Sequence, residues 1–282
     1  MRLFDLPQAQ HFCKPAGVGG PGQAQSLAGF HASLSGITTL TEGTTSFVVH
    51  QANLLSSVER WIAYSISNYR RAIEMLVPVA APWAQVTLYY SSFFAANAIL
   101  GMFGGWVGQV RGSTTIVDVE QRTPGSQRLR IHRRQRSPNR AAGSHRAFWD
   151  FFYDATPGIV AWAPPTLASA LDPVNGDVSW QIGERNNVNY DMHYAWEAAT
   201  HFHRTFKSSK LESITGPAAL QLEATQQMLR LATHFACDVD VSCGSLRGCG
   251  VSGDRAHIQR ILVRQRPPNL TAQSELASIL SL

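Results

Sequence analysis

The chain reads as mainly α: a helical bundle with a β-hairpin inserted between its second and third core helices. Three observations predict this. Apolar residues recur at spacings of four and three from Leu54 to Leu76, from Pro82 to Phe103 and from Arg185 to Phe206. Between residues 111 and 140 the pattern changes to alternation, in STTIVDVEQ (113–121) and SQRLRIHRR (126–134). The tetrapeptide RTPG, at 122–125, separates those runs and suits a tight turn.

Bulk properties bound this reading. With 282 residues, 44% of them hydrophobic, the chain can bury a substantial core. The net charge of +5 admits an anionic partner without naming one. Nearly all basic residues are arginine, the lysines being Lys14, Lys207 and Lys210. Arginine forks onto phosphate better than lysine does, although a GC-rich genome produces the same bias. The start, MRLFDLPQAQHF, lacks a charged segment followed by an apolar run, so a cytoplasmic protein is expected.

Taken in order, residues 1–53 are rich in Gly, Ser, Thr and Gln. They read as an irregular N-terminal arm with one strand at TTSFVVHQ (44–51). The first helix, 54–76, carries a stripe of Ile62, Ile66, Tyr69, Ile73 and Leu76 and ends before Pro78. The second, 82–103, has apolar stripes on two sides, as expected of a central helix. No charge occurs from Leu76 to Val110, which is long enough for a membrane span. Pro78, Pro82, Gln85 and Asn97 dilute that stretch, so no membrane association is expected.

The hairpin insertion at 111–140 is strongly basic. Arg128, Arg130, Arg133, Arg134 and Arg136 are candidates for contacting nucleic acid, against the simpler reading of a solvated loop. A third helix fits SHRAFWDFFYDA (144–155), capped by Ser144. The fourth, 185–206, repeats Val188, Met192, Ala195, Ala199, Phe202 and Phe206; one step back along that seam stands Arg185. A charge there needs a partner or a task. Residues 207–282 supply a fifth helix at about 217–236, a Cys/Gly-rich loop and a basic tail.

Cys237, Cys243 and Cys249 lie near His234 and His257 but lack the tight CxxC pairs of zinc sites. Neither a metal nor a cofactor is expected. GVGGPG (17–22) follows no strand and opens no helix, so it is not a phosphate loop.

Three segments in order resemble one branch of the HEPN superfamily, the small bacterial helical proteins often encoded beside minimal nucleotidyltransferases. They are YYSSFFAANAILG (89–101), SHRAFWDFFYDA (144–155) and RNNVNYDMHYAWEAATHFHRTF (185–206). With the first helix, the resemblance covers residues 54–206. It implies a helical bundle belonging to a bacterial toxin or defence system and acting on or binding RNA. It also implies a homodimer or higher oligomer, and an antitoxin or nucleotidyltransferase partner.

Many members of that superfamily cut RNA without metal, using an arginine followed four to six residues later by histidine. The arginine neutralises phosphate and the histidine moves a proton. On this pattern the site residues are Arg185, Asn186, Tyr190 and His145. The sequence departs from it, because Tyr190 stands five residues after Arg185 where histidine is usual. A tyrosine with its pKa near 10 is a poor base at neutral pH. Five residues also turn a helix by about 140°, so Tyr190 cannot share Arg185's face in one chain. His145 would supply the missing proton carrier if it folds beside Arg185. A non-catalytic scaffold, with Arg185 paired to a carbonyl or carboxylate and Tyr89 and Tyr90 as core phenols, is the alternative.

Overall fold

Two short helices, α1 (Leu6–Phe12) and α2 (Leu27–Ser33), and a strand, β1 (Thr39–Thr41), form the N-terminal region of the computed structural model. The structure describes residues 6–13, 26–76, 80–121, 123–135, 144–160, 177–205 and 215–240. Within residues 1–53, where an irregular arm is expected, the described stretches 6–13 and 26–53 form helices and a short strand. The run TTSFVVHQ is not a strand but the start of α3 (Thr45–Glu74). The Thr44 hydroxyl accepts from the Phe47 amide at 3.3 Å, which supplies an N-cap. The Phe47 ring meets Phe12 of α1 edge-on at 6.0 Å. Cap and packing together override the β preference of the valines.

Next comes α4 (Ala81–Met102), entered through Pro82 and buried along most of its length. It packs between α3 and α8 (Pro217–Asp240). Small residues permit the close α3–α4 approach. Ser65 Oγ donates to the Ser91 carbonyl at 2.8 Å, and Ser91 Oγ donates to the Ser65 carbonyl at 2.7 Å. At Gly101 a Cβ would fall 2.6 Å from Val58 Cγ2.

The hairpin is present and belongs to a larger sheet. Strands β2 (Trp106–Val110), β3 (Ser113–Gln121) and β4 (Arg128–Gln135) join β1 in the antiparallel order β1-β4-β3-β2. Leu40, Leu129 and Val119 are adjacent in register and buried. Helix α5 (Ser144–Val160) runs past the expected end at residue 155 and buries Phe148, Trp149, Phe151 and Phe152.

The fourth core helix differs from expectation. It is broken into α6 (Trp180–Tyr190) and α7 (Met192–Thr205). Asp191, between them, adopts an extended backbone. Its Oδ1 accepts from the amides of His193 and Tyr194, both at 3.0 Å, which caps α7. The break turns the seam: Val188 is buried, but Met192 is 89% exposed.

One hydrophobic core runs from Ala9 to Val239; α6 adds only the partly buried Ile182, and the described residues of α7 add none. No described helix is long and apolar enough to cross a membrane.

Candidate functional site

The α4 segment 89–93 presents Tyr89, Tyr90 and Phe93 toward the first turn of α5 and the middle of α6. This brings Arg185 and His145 into one cluster, linked by a tyrosine rather than by direct contact. The Arg185 guanidinium carbon lies 5.4 Å from the centroid of the Tyr89 ring, a cation–π arrangement. Arg185 Nη1 donates to the Tyr90 hydroxyl at 3.4 Å. Tyr89 Oη and His145 Nδ1 are 2.7 Å apart. The His145 ring also sits 4.5 Å from Phe93, centroid to centroid.

Asn186 shares this site. Its Oδ1 accepts from Arg185 Nε at 3.2 Å and from Nη2 at 2.6 Å. No carboxylate among the described residues forms an ion pair with Arg185. A guanidinium has five N–H donors. Three are used here, by Asn186 twice and Tyr90 once, so two remain available. The half-buried arginine thus carries a net positive charge at the edge of an aromatic wall.

The proton states follow from burial. Burial, then the charge of Arg185, lowers the His145 pKa to about 4, so the imidazole is neutral at physiological pH. Burial raises the Tyr89 phenol well above its ordinary value, outweighing the opposing effects of Trp149 and Arg185. Trp149 Nε1 donates to the Tyr89 oxygen at 3.4 Å. With both groups neutral, one proton bridges Tyr89 Oη and His145 Nδ1, and the imidazole tautomer decides which of them donates. A neutral, weakly basic histidine beside an arginine is well suited to shaping a site. It is poorly suited to accepting and returning a proton near neutral pH.

Tyr190 does not join the cluster. It is the last residue of α6 and is 80% exposed. The helical rotation from Arg185 and the stop at Asp191 both direct it away. Tyr89 is the core phenol that one reading expected, and both it and the partly buried Tyr90 also meet Arg185. Their adjacency on an uncharged helix was the available signal.

The arginine hairpin divides into separate roles. Arg128 and Arg130 alternate with the buried Leu129 and Ile131 and project from the exposed face. They lie 4.0 and 3.7 Å from Glu120 carboxylate oxygens, a loose surface arrangement. Arg133 is on the opposite parity. Its Nη1 donates to the Ile37 carbonyl at 3.0 Å and its Nη2 to that of Leu34 at 2.7 Å. Arg133 thus ties β4 to the end of α2. Arg134 stands opposite Thr114 in register. Arg136, Cys243 and Cys249 lie outside the described residues, and Cys237 falls in the last turns of α8.

No protein-family model, no curated protein and no solved structure matches the chain.

Proposed function

We propose that the chain is a HEPN-like protein of a bacterial toxin or defence system that binds RNA phosphate at Arg185. Arg128 and Arg130 extend the contact along the sheet. The observation carrying this reading is Arg185 itself. It is held over Tyr89 by Asn186 and Tyr90, without a carboxylate, and keeps two N–H donors unspent. Planar guanidinium forks match phosphate oxygens and gain strength where water is partly excluded. The low basicity of His145 favours a binding site over a metal-independent ribonuclease. Pairing of two copies through the exposed Tyr190, Met192 and Trp196 of α6 and α7 would place two such sites on one RNA.

Fluorescence anisotropy with a short labelled single-stranded RNA tests this. Arg185→Ala should abolish most binding, and Arg185→Lys should restore only part of it, because a lysine lacks the fork. Wild-type affinity in Arg185→Ala would overturn the proposal. Gel analysis of the same RNA distinguishes binding from cleavage. Cleavage that disappears in both Arg185→Ala and His145→Ala would establish the ribonuclease reading instead.

A further inference from the structure

A second site lies against α7, whose Tyr194 bonds to Glu184, the chain neighbour of Arg185. A cleft of about 290 Å³ is lined by Gln85, Tyr194, Glu197, Ala198, His201, Thr215 and Ala218. Tyr194, Glu197, Ala198 and His201 follow the spacing i, i+3, i+4, i+7, so α7 presents one face to it. The first turns of α4 and α8 form the other wall. Gly216, at φ +71°, allows the chain to enter α8 directly over His201. A Cβ at Gly216 would stand 3.4 Å from His201 Nε2.

The polar groups of this cleft have a consistent sense. Gln85 is 94% buried, and its Oε1 has no hydrogen-bond partner. Glu197 meets only the exposed His193 among the described residues, Oε1 to Nε2, at 3.3 Å. The Tyr194 hydroxyl donates to Glu184 Oε2 at 2.5 Å. Burial, then Glu184, raises the Tyr194 pKa, so the phenol keeps its proton. His201 Nε2 pairs with Thr215 Oγ1 at 3.0 Å. Among the described residues, no Lys or Arg lines the cleft. What remains is one buried carbonyl-type acceptor, one carboxylate without a strong partner, an aromatic ring and an apolar floor of Ala198 and Ala218.

We propose that this cleft binds a small organic cation, a primary ammonium carried on an apolar body. The ammonium donates to the Glu197 carboxylate and to Gln85 Oε1, and its charge rests against the Tyr194 ring. The body fills the apolar floor. An anionic ligand would meet Glu197 as a like charge. A neutral apolar ligand would fill the volume and leave Gln85 Oε1 still unpaired. This site does not depend on RNA binding at Arg185.

Isothermal titration of the full chain with three probes of matched shape tests the assignment: phenethylammonium, phenethyl alcohol and phenylacetate. The ammonium should bind saturably, the alcohol about tenfold more weakly, and the carboxylate not at all. Glu197→Gln changes an exposed residue and should weaken the ammonium by about tenfold while leaving the thermal midpoint unchanged. Gln85→Leu should weaken it as well. Its thermal midpoint reports whether the fold is intact, and Gln85→Asn offers a partial rescue. Absence of saturable binding, equal affinity for the alcohol, or an undiminished affinity in Glu197→Gln would each overturn the proposal.

Discussion

Acid should destabilise this protein through its buried neutral histidines, to which His145 of the Arg185 cluster adds a share similar to that of His50, and His31 and His50 supply the larger part. His31 of α2 and His50 of α3 are buried, with His31 Nε2 3.2 Å from His50 Nδ1. The His31 ring stacks on Trp106 at 4.7 Å with an interplanar angle of 11°. Burial, then His50 and Arg133, lowers the His31 pKa to about 3. Burial lowers that of His50 to about 4, against a small opposing effect from the Gly104 backbone. In the unfolded chain each titrates near 6.5. Between pH 7 and pH 5 the unfolded state therefore takes up about three-quarters of a proton at each histidine, while the folded state takes up almost none. Stability is full above 6.5 and is lost as pH falls from 6.5 toward 4 at His50 and toward 3 at His31. One pKa unit corresponds to about 1.4 kcal/mol, so the loss by pH 5 is about 2 kcal/mol per histidine and about 4 kcal/mol for the pair. That is a large fraction of the roughly 5–15 kcal/mol that holds a typical domain together. Urea denaturation at the two pH values measures it directly. His50→Leu and the double variant His31→Phe/His50→Leu should flatten the dependence in proportion. A wild-type change below about 1 kcal/mol, or an undiminished change in the double variant, would refute the reasoning.

Other perturbations discriminate among the contacts described above. Arg133→Ala should destabilise by about 1.5–3 kcal/mol, because two charge-assisted bonds to Leu34 and Ile37 are lost. Arg128→Gln/Arg130→Gln should leave the denaturation midpoint nearly unchanged but reduce the salt dependence of RNA binding, as read by anisotropy at several ionic strengths. Gly101→Ala should cost about 1–3 kcal/mol in denaturant titrations, since the new methyl must displace Val58. Asp191→Ala removes the cap of α7 and should cost about 1 kcal/mol, with local loss of amide protection at His193 and Tyr194 in hydrogen exchange.

The sequence disclosed those parts of the fold in which one pattern persists long enough to be read. The charge-free α4, the alternation of β3 and β4 and the long α8 were all visible, because each repeats a face over many residues. What escaped was short or was decided by tertiary contact. β1 has only three residues and pairs with β4 about ninety positions away. The valines preceding Gln51 favour a strand by propensity, and only the Thr44 cap and the Phe12 contact make them helical. The α6–α7 break was concealed because a one-residue interruption leaves the apolar spacing nearly in phase on both sides. The site was half legible. Arg185 was identifiable from its seam, and His145 from the helix it opens. Their connection through Tyr89 requires knowing that α4 passes between them. The cleft under α7 had no signature, because its walls come from three helices widely separated in the chain.

The position of α4 also bears on how the protein is made. One side of α4 is covered by α3, which precedes it, and the other by α8. There Thr225 Oγ1 donates to the Leu88 carbonyl at 3.2 Å, and Gln226 Nε2 ties α8 to α3 by donating to the Tyr69 hydroxyl at 3.0 Å. During synthesis α4 emerges long before α8 exists. At about 5–20 residues per second, the interval from Met102 to Asp240 is roughly 7–28 s. Throughout it, the uncharged flank that α8 will cover faces the interior of the cell on a nascent chain. That is long enough for a chaperone to capture the flank, and long enough for two neighbouring chains on one messenger to find each other.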